Sequence, residues 1–126
     1  MIPIDETNRL PQVLRETVLA LVRSDSADLS ARQLAVLLTV YQTSGPHTVR
    51  GLSAELNVSK PAITRALDRL GELDLARRNS DPLDRRSINV EHTPAGQIYL
   101  RDLRDAMTAA FSMGRTRVTA AYHGAA

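Results

Sequence analysis

The chain has 126 residues, 43% of them apolar and 24% charged, with a net charge of +2. That fits one globular domain; two independent domains would each be too small to hold a core without staples, and wholesale disorder is excluded. There is no cysteine, which excludes disulfides, thiolate metal sites, iron–sulfur clusters, cysteine nucleophiles and thiol redox sensing.

The longest apolar runs are five residues, such as Leu34 to Leu38, whereas a membrane span needs about 18. The opening MIPIDET has no Lys or Arg ahead of an apolar run, so no secretory signal is expected and the cytoplasm is the default location. Net charge is −1 over residues 1–49, +2 over 50–86 and +1 over 87–126. The middle is the most basic part, by a margin too small to name a partner on its own.

A first helix is expected from about Asp5 to Arg23, with Leu10, Leu14, Val18 and Leu21 as one apolar stripe and Pro11 inside it, where it can delay or bend the helix start. Ser30 opens a second helix, and Gln33 three residues later completes a capping box. Leu34, Leu37, Leu38 and Tyr41 are its expected buried face, and SGPH at 44–47 breaks it. Thr48 is the expected N-cap of a short third helix reaching Leu56, with Leu52 and Leu56 inward. Asn57 and Val58 turn the chain. Ser59 caps a fourth helix, with Pro61 in its first turn and Ile63, Ala66, Leu67 and Leu70 inward.

From Leu75 the period changes to two. Leu75 to Asn79 reads as a strand, SDPLDR at 80–85 as a turn, and Ile88 and Val90 as the inward positions of a second, half-buried strand. Thr93-Pro94 starts the last helix, which can reach about Tyr122. Leu100, Leu103, Met107, Ala110, Gly114, Val118 and Ala121 form a heptad-like seam along it.

The strongest constellation spans residues 48–92: two short helices and a hairpin, the size of a helix-turn-helix with a wing. On the fourth helix, Pro61, Thr64, Arg65 and Asp68 share the outer side, while Ser59 and Lys60 stand at an N-terminus that favours phosphate. Thr64 can meet a base edge or thymine methyl, and Arg65 can pair with guanine. A solvated amphipathic helix explains the same pattern. The hairpin adds Arg77, Arg78, Arg85 and Arg86, which can reach an adjacent minor groove or simply solvate a turn. Asp81 and Asp84 would repel phosphate; they make more sense as residues that orient arginines or shape the turn.

LSARQLAVLLTV, LSAELNVSKPAITRALDRL and DPLDRRSINVEHTPAG together resemble the MarR family of winged-helix transcription regulators, over about Leu29 to Gly96. The resemblance implies a homodimer on a near-palindromic operator in double-stranded DNA, with a repressor acting by occupancy. It implies Ser59, Lys60, Pro61, Thr64 and Arg65 at the major groove. It implies the wing arginines, Arg85 and above all Arg86, at the minor groove, with Asp84 orienting Arg86. The expected fold is α+β, mostly helical: a winged helix-turn-helix over about 29–93, with dimerisation helices over about 5–23 and 94–122, in one domain. Leu10, Leu14 and Val18 from one end and Leu103, Met107, Ala110 and Val118 from the other are the expected dimer contacts.

Asp74 stands where the family usually has glycine, and His92 where an aliphatic residue is usual. No further terminal helix is expected after the seam. The three histidines lack metal spacing, and no phosphate loop or nucleophile elbow is present. No cofactor, metal or enzymatic activity is therefore expected, and any small-molecule effector is unknown. Tyr41, Tyr99, Phe111 and Tyr122 are the only aromatics and read as core, so a weak or absent response to aromatic acids is expected. The rival reading is a winged helix used to bind protein rather than DNA.

Overall fold

A computed structural model describes the backbone of residues 6–84 and 86–124 and the side chains of residues 7–84 and 86–113. Asp5, Arg85 and the side chains of Val118, Ala121 and Tyr122, all named above, lie outside the described residues, as does any side-chain environment at Gly114. In chain order the elements are α1 (Glu6–Arg23), α2 (Ala31–Gln42), β1 (His47–Thr48), α3 (Val49–Leu56), α4 (Lys60–Glu72), β2 (Ala76–Ser80), β3 (Ile88–His92) and α5 (Pro94–Gly124). The fold is α+β and mostly helical, as expected. It divides into two units: Met1–Asp28 with Leu100–Ala126, and Leu29–Tyr99.

In the first unit, Pro11 sits inside α1 without ending it. The inward face of α1 is Val13 and Thr17, one residue ahead of the stripe that spacing alone selects. The Thr17 hydroxyl donates to the Val13 carbonyl at 2.7 Å, which satisfies its buried polar group inside the helix. One turn earlier, the Arg9 guanidinium lies 4.1 Å from the centre of the Phe111 ring on α5, a cation–π contact. Leu10, Leu14, Val18 and Met107 are 68%, 64%, 46% and 49% exposed, whereas Leu103 and Ala110 are 7% and 3% exposed. Leu103 and Ala110, expected as dimer contacts, are thus already covered within the chain.

The second unit is built from capped helices. Ser30 Oγ accepts the Gln33 N–H at 3.1 Å, and Gln33 Oε1 accepts the Ser30 N–H at 2.9 Å. This is the reciprocal box that satisfies two otherwise orphaned donors. The buried centre of α2 is Val36, Leu37 and Val40; Leu34, Leu38 and Tyr41, expected at the centre, are half-buried. α2 packs on α3, α4 and β3 at once, so its covered arc shifts away from the leucine stripe. Thr48 Oγ1 accepts the Gly51 N–H at 3.0 Å and starts α3. Asn57 ends α3 in the left-handed region at φ 55°, a conformation that asparagine tolerates better than most residues.

α4 buries Ala62, Ile63, Ala66, Leu67 and Leu70. It ends with Asp74 at φ 58°. The Leu75 N–H reaches the Leu70 carbonyl at 2.8 Å, and the Asp74 N–H reaches Gly71 at 3.0 Å. This is a Schellman closure, with the aspartate in the place a glycine usually takes.

The sheet has the order β1-β3-β2, all antiparallel. In β2 and β3, Ala76 faces His92 and Ser80 faces Ile88. The first hairpin strand begins one residue later than the sequence suggests. β1 has no counterpart among the expected elements: two residues, His47 pairing Val90 and Thr48 pairing Asn89, are too short to show a period. Val90 is buried, but Ile88, expected inward, is exposed, because it opens onto a cleft instead of a packed neighbour.

The base of the hairpin is clamped by one hydroxyl. Tyr41 Oη donates to the Leu75 carbonyl at 2.6 Å and accepts the Thr93 N–H at 3.0 Å. Buried Thr93 donates through Oγ1 to the Asp74 carbonyl at 2.6 Å and accepts the Gly96 N–H at 2.9 Å, so the same side chain caps α5. The His92 ring stacks on Tyr41 at 4.1 Å, and its Nε2 is 2.8 Å from the Val40 carbonyl. A Cβ at Gly96 would overlap the Tyr41 hydroxyl and the Leu75 carbonyl oxygen, so this position requires glycine.

Tyr41→Phe leaves a buried N–H and carbonyl without partners and should lower unfolding free energy by about 1–3 kcal/mol. Gly96→Ala should cost at least as much by overpacking against backbone. Urea unfolding of the purified chain measures both; wild-type midpoints in the two variants would show that the clamp carries no stability.

Candidate nucleic-acid interface

The N-terminus of α4 is prepared by local chemistry. Ser59 Oγ accepts the Ala62 N–H at 3.3 Å, and Pro61 occupies the first turn, where a missing N–H costs nothing. The buried face then fixes the rotation of the helix, so Lys60, Pro61, Arg65 and Asp68 are exposed and Thr64 is half-buried.

A cleft of about 470 Å³ opens beside this helix. It is lined by Lys60 and Thr64 from α4, Thr48, Val49 and Arg50 from the start of α3, and Asp84, Arg86, Ser87 and Ile88 from the hairpin. Of the residues expected to bind DNA, Lys60, Thr64 and Arg86 therefore meet in one place, with Asp84. Arg65 does not join them. It lines a separate groove of about 280 Å³ with Ser30, Arg32, Gln33, Ala62 and Ala66. Arg85 lies outside the described residues.

Asp84 acts on the backbone of the turn. Its Oδ1 accepts the Arg86 N–H at 3.0 Å and its Oδ2 accepts the Ser87 hydroxyl at 3.1 Å. The Ser87 N–H returns to the Asp84 carbonyl at 2.9 Å. Asp81 does the same one step earlier, accepting the Leu83 N–H at 2.9 Å. Both carboxylates shape the turn, one of the two roles expected for them. Asp68, on the outer side of α4, forms an ion pair with Arg78 of β2. That pair compensates one of the two exposed acids of the helix, the other being Glu72, which pairs with Arg69, and takes Arg78 out of the set of free wing cations.

Sequence reasoning gave Arg50 and Arg32 no place beside α4 and read Ile88 only as an inward strand position. Arg50 stands two residues after the cap Thr48 and precedes a glycine, with no motif to mark it; only the fold brings it to the hairpin. Among the described residues, no group of three His, Asp or Glu side chains could hold a metal ion, and no helix is long and apolar enough to cross a membrane.

Residues 27–87 match the model of the MarR family. No curated protein sequence matches the chain. Solved structures do. The transcriptional regulator Tm0710 from Thermotoga maritima is similar at TM-score 0.66 and 22% identity, over 90% of this chain and 75% of that one. A MepR variant from S. aureus, bound to an oligodeoxyribonucleotide, is similar at 0.66 and 22%, over 87% and 76%. The transcriptional regulator BldR from Sulfolobus solfataricus is similar at 0.59 and 27%, over 86% and 81%. Tm0710 and BldR are both transcriptional regulators. The chain has the winged-helix fold of MarR-family transcription regulators, and residues 27–87 match that family directly.

Proposed function

We propose that the chain binds double-stranded DNA in a sequence-specific way and regulates transcription as a homodimeric repressor on a near-palindromic operator. The observation that carries this reading is the cleft in which Lys60, Thr64 and Arg86 meet beside the capped N-terminus of α4. The positive end of a helix dipole, a basic first residue and a basic hairpin beside it suit a phosphate backbone bordering a groove. The DNA-bound MepR variant with a similar fold supports the same reading. On this proposal, Arg65 reads a base in the major groove, Thr64 meets a base edge, and Arg86 reaches the neighbouring minor groove.

The homodimer is supported by the apolar side chains left exposed on α1 and α5. Leu10, Leu14, Val18 and Met107 would be unfavourable in water as a contiguous face. A two-fold partner covering them would set two α4 helices about one DNA turn apart, near 34–36 Å. Occupancy of that site would exclude polymerase.

Arg65→Ala should weaken specific binding by about 1–3 kcal/mol and relax preference at one base pair per half-site. Lys60→Ala should weaken all sequences alike. Fluorescence anisotropy against operator and scrambled duplexes separates the two patterns, and wild-type binding by Arg65→Ala would remove α4 as the reader. Leu14→Glu with Met107→Glu should convert a dimer to a monomer in sedimentation and lose operator binding together. A wild-type monomer at micromolar concentration that still binds a half-site tightly would contradict the homodimer.

A further inference from the structure

We propose that Arg50 and Arg32 hold the two phosphate backbones that border a single major groove, one arginine on each flank of α4. The inference rests on the DNA-binding reading above and assigns the residues that anchor it.

The rotation of side chains about α4 sets the two flanks. At about 100° per residue, Lys60 and Thr64 lie on one flank, and Ala62, Arg65 and Ala66 lie on nearly the opposite one. Pro61 and Asp68 lie between these flanks, facing away from buried Ile63, Leu67 and Leu70. The two concave sites therefore sit on either side of the exposed face. One is lined by Lys60 and Thr64, the other by Ala62, Arg65 and Ala66.

Each site receives a cation from a different helix: Arg50 from α3 on the first flank, and Arg32 from α2 on the second. Both side chains belong to exposed residues. The first cleft holds Arg50, Lys60 and Arg86 against Asp84, whose two oxygens are engaged by the turn. The second holds Arg32 and Arg65 with no acid in its lining. A helix seated in a major groove about 12 Å wide has a phosphate backbone along each side. Paired cationic clefts on the two flanks of one exposed helix match that arrangement. A single anionic ligand would need only one of them.

Phosphate contacts carry no base information and appear as salt dependence. The test is anisotropy of the full chain on two duplexes of different sequence, at about 50 and 200 mM salt. Arg50→Gln and Arg32→Gln should each weaken binding on both duplexes by the same factor. Each should also shrink the affinity ratio between the two salt concentrations by about 3.5-fold, the change expected when one phosphate is no longer neutralised; the double variant should show about 12-fold. Arg50→Lys and Arg32→Lys should keep the wild-type salt dependence. Thermal melting should be unchanged throughout, since neither arginine is buried.

Lys60→Ala is run alongside. If it weakens binding while the two Gln variants retain the wild-type salt dependence, the flank assignment is overturned and the DNA reading stands. If the wild-type chain binds neither duplex, the DNA reading itself has failed, and the flank assignment with it.

Discussion

The geometry of the wing depends on the Tyr41 hydroxyl. It touches both ends of the hairpin, at Leu75 and Thr93, and it stands on α2, the helix that also packs on α4. Beside it, the His92 contact with the Val40 carbonyl and the Arg78–Asp68 ion pair tie single strands to the helices, whereas the Tyr41 hydroxyl ties the two ends of the hairpin to α2 at once. With it, Arg86 and Lys60 are held on the two walls of one cleft. Several departures from simple rules follow from the same clamp. Asp74 takes a left-handed φ so that its carbonyl can receive the Thr93 hydroxyl. Gly96 lacks a Cβ because the Tyr41 hydroxyl occupies that space. His92 is tolerated at a strand end because its ring stacks on Tyr41 and its nitrogen meets the Val40 carbonyl.

A net charge of +2 understates the field at the interface. Charges act over about a Debye length, near 8–10 Å at ordinary salt, so local placement outweighs the sum. Around α4 the acids are occupied: Asp68 by Arg78, Asp84 by the Arg86 and Ser87 donors, Asp81 by the Leu83 N–H. These carboxylates fix the turn and the strand against the helix, while Arg50, Lys60 and Arg86 line the open cleft. Negative charge here serves geometry, and the exposed cations set the potential that a polyanion would meet.

The helix starts were legible in the sequence because caps are local chemistry. Ser30 with Gln33, Thr48, and Ser59 with Pro61 each satisfy donors within four residues. The inward face of α4 was legible because its apolar period is undisturbed. The rest depends on contacts distant in sequence. β1 is only two residues long and exists by pairing with Val90 and Asn89. Arg78 finds Asp68 ten positions earlier across an element boundary, and Arg50 meets the hairpin only after folding. In α1, Val13 and Thr17 are inward while Leu10, Leu14, Val18 and Val22 are exposed; a stripe read from spacing shows which residues are apolar, and cannot show which neighbour covers them. The motif residues Lys60, Thr64 and Arg86 converge, but Arg65 diverges to another groove, because a step of about 100° separates it from Thr64.

Selection of bound sequences from random duplex DNA probes the role of α4 and the symmetry of the assembly together. The expected result is a two-fold symmetric consensus whose half-sites are about 10–10.5 base pairs apart, centre to centre. No enrichment over the starting pool would contradict sequence-specific DNA binding, and an enriched but asymmetric single half-site would contradict the two-fold dimer.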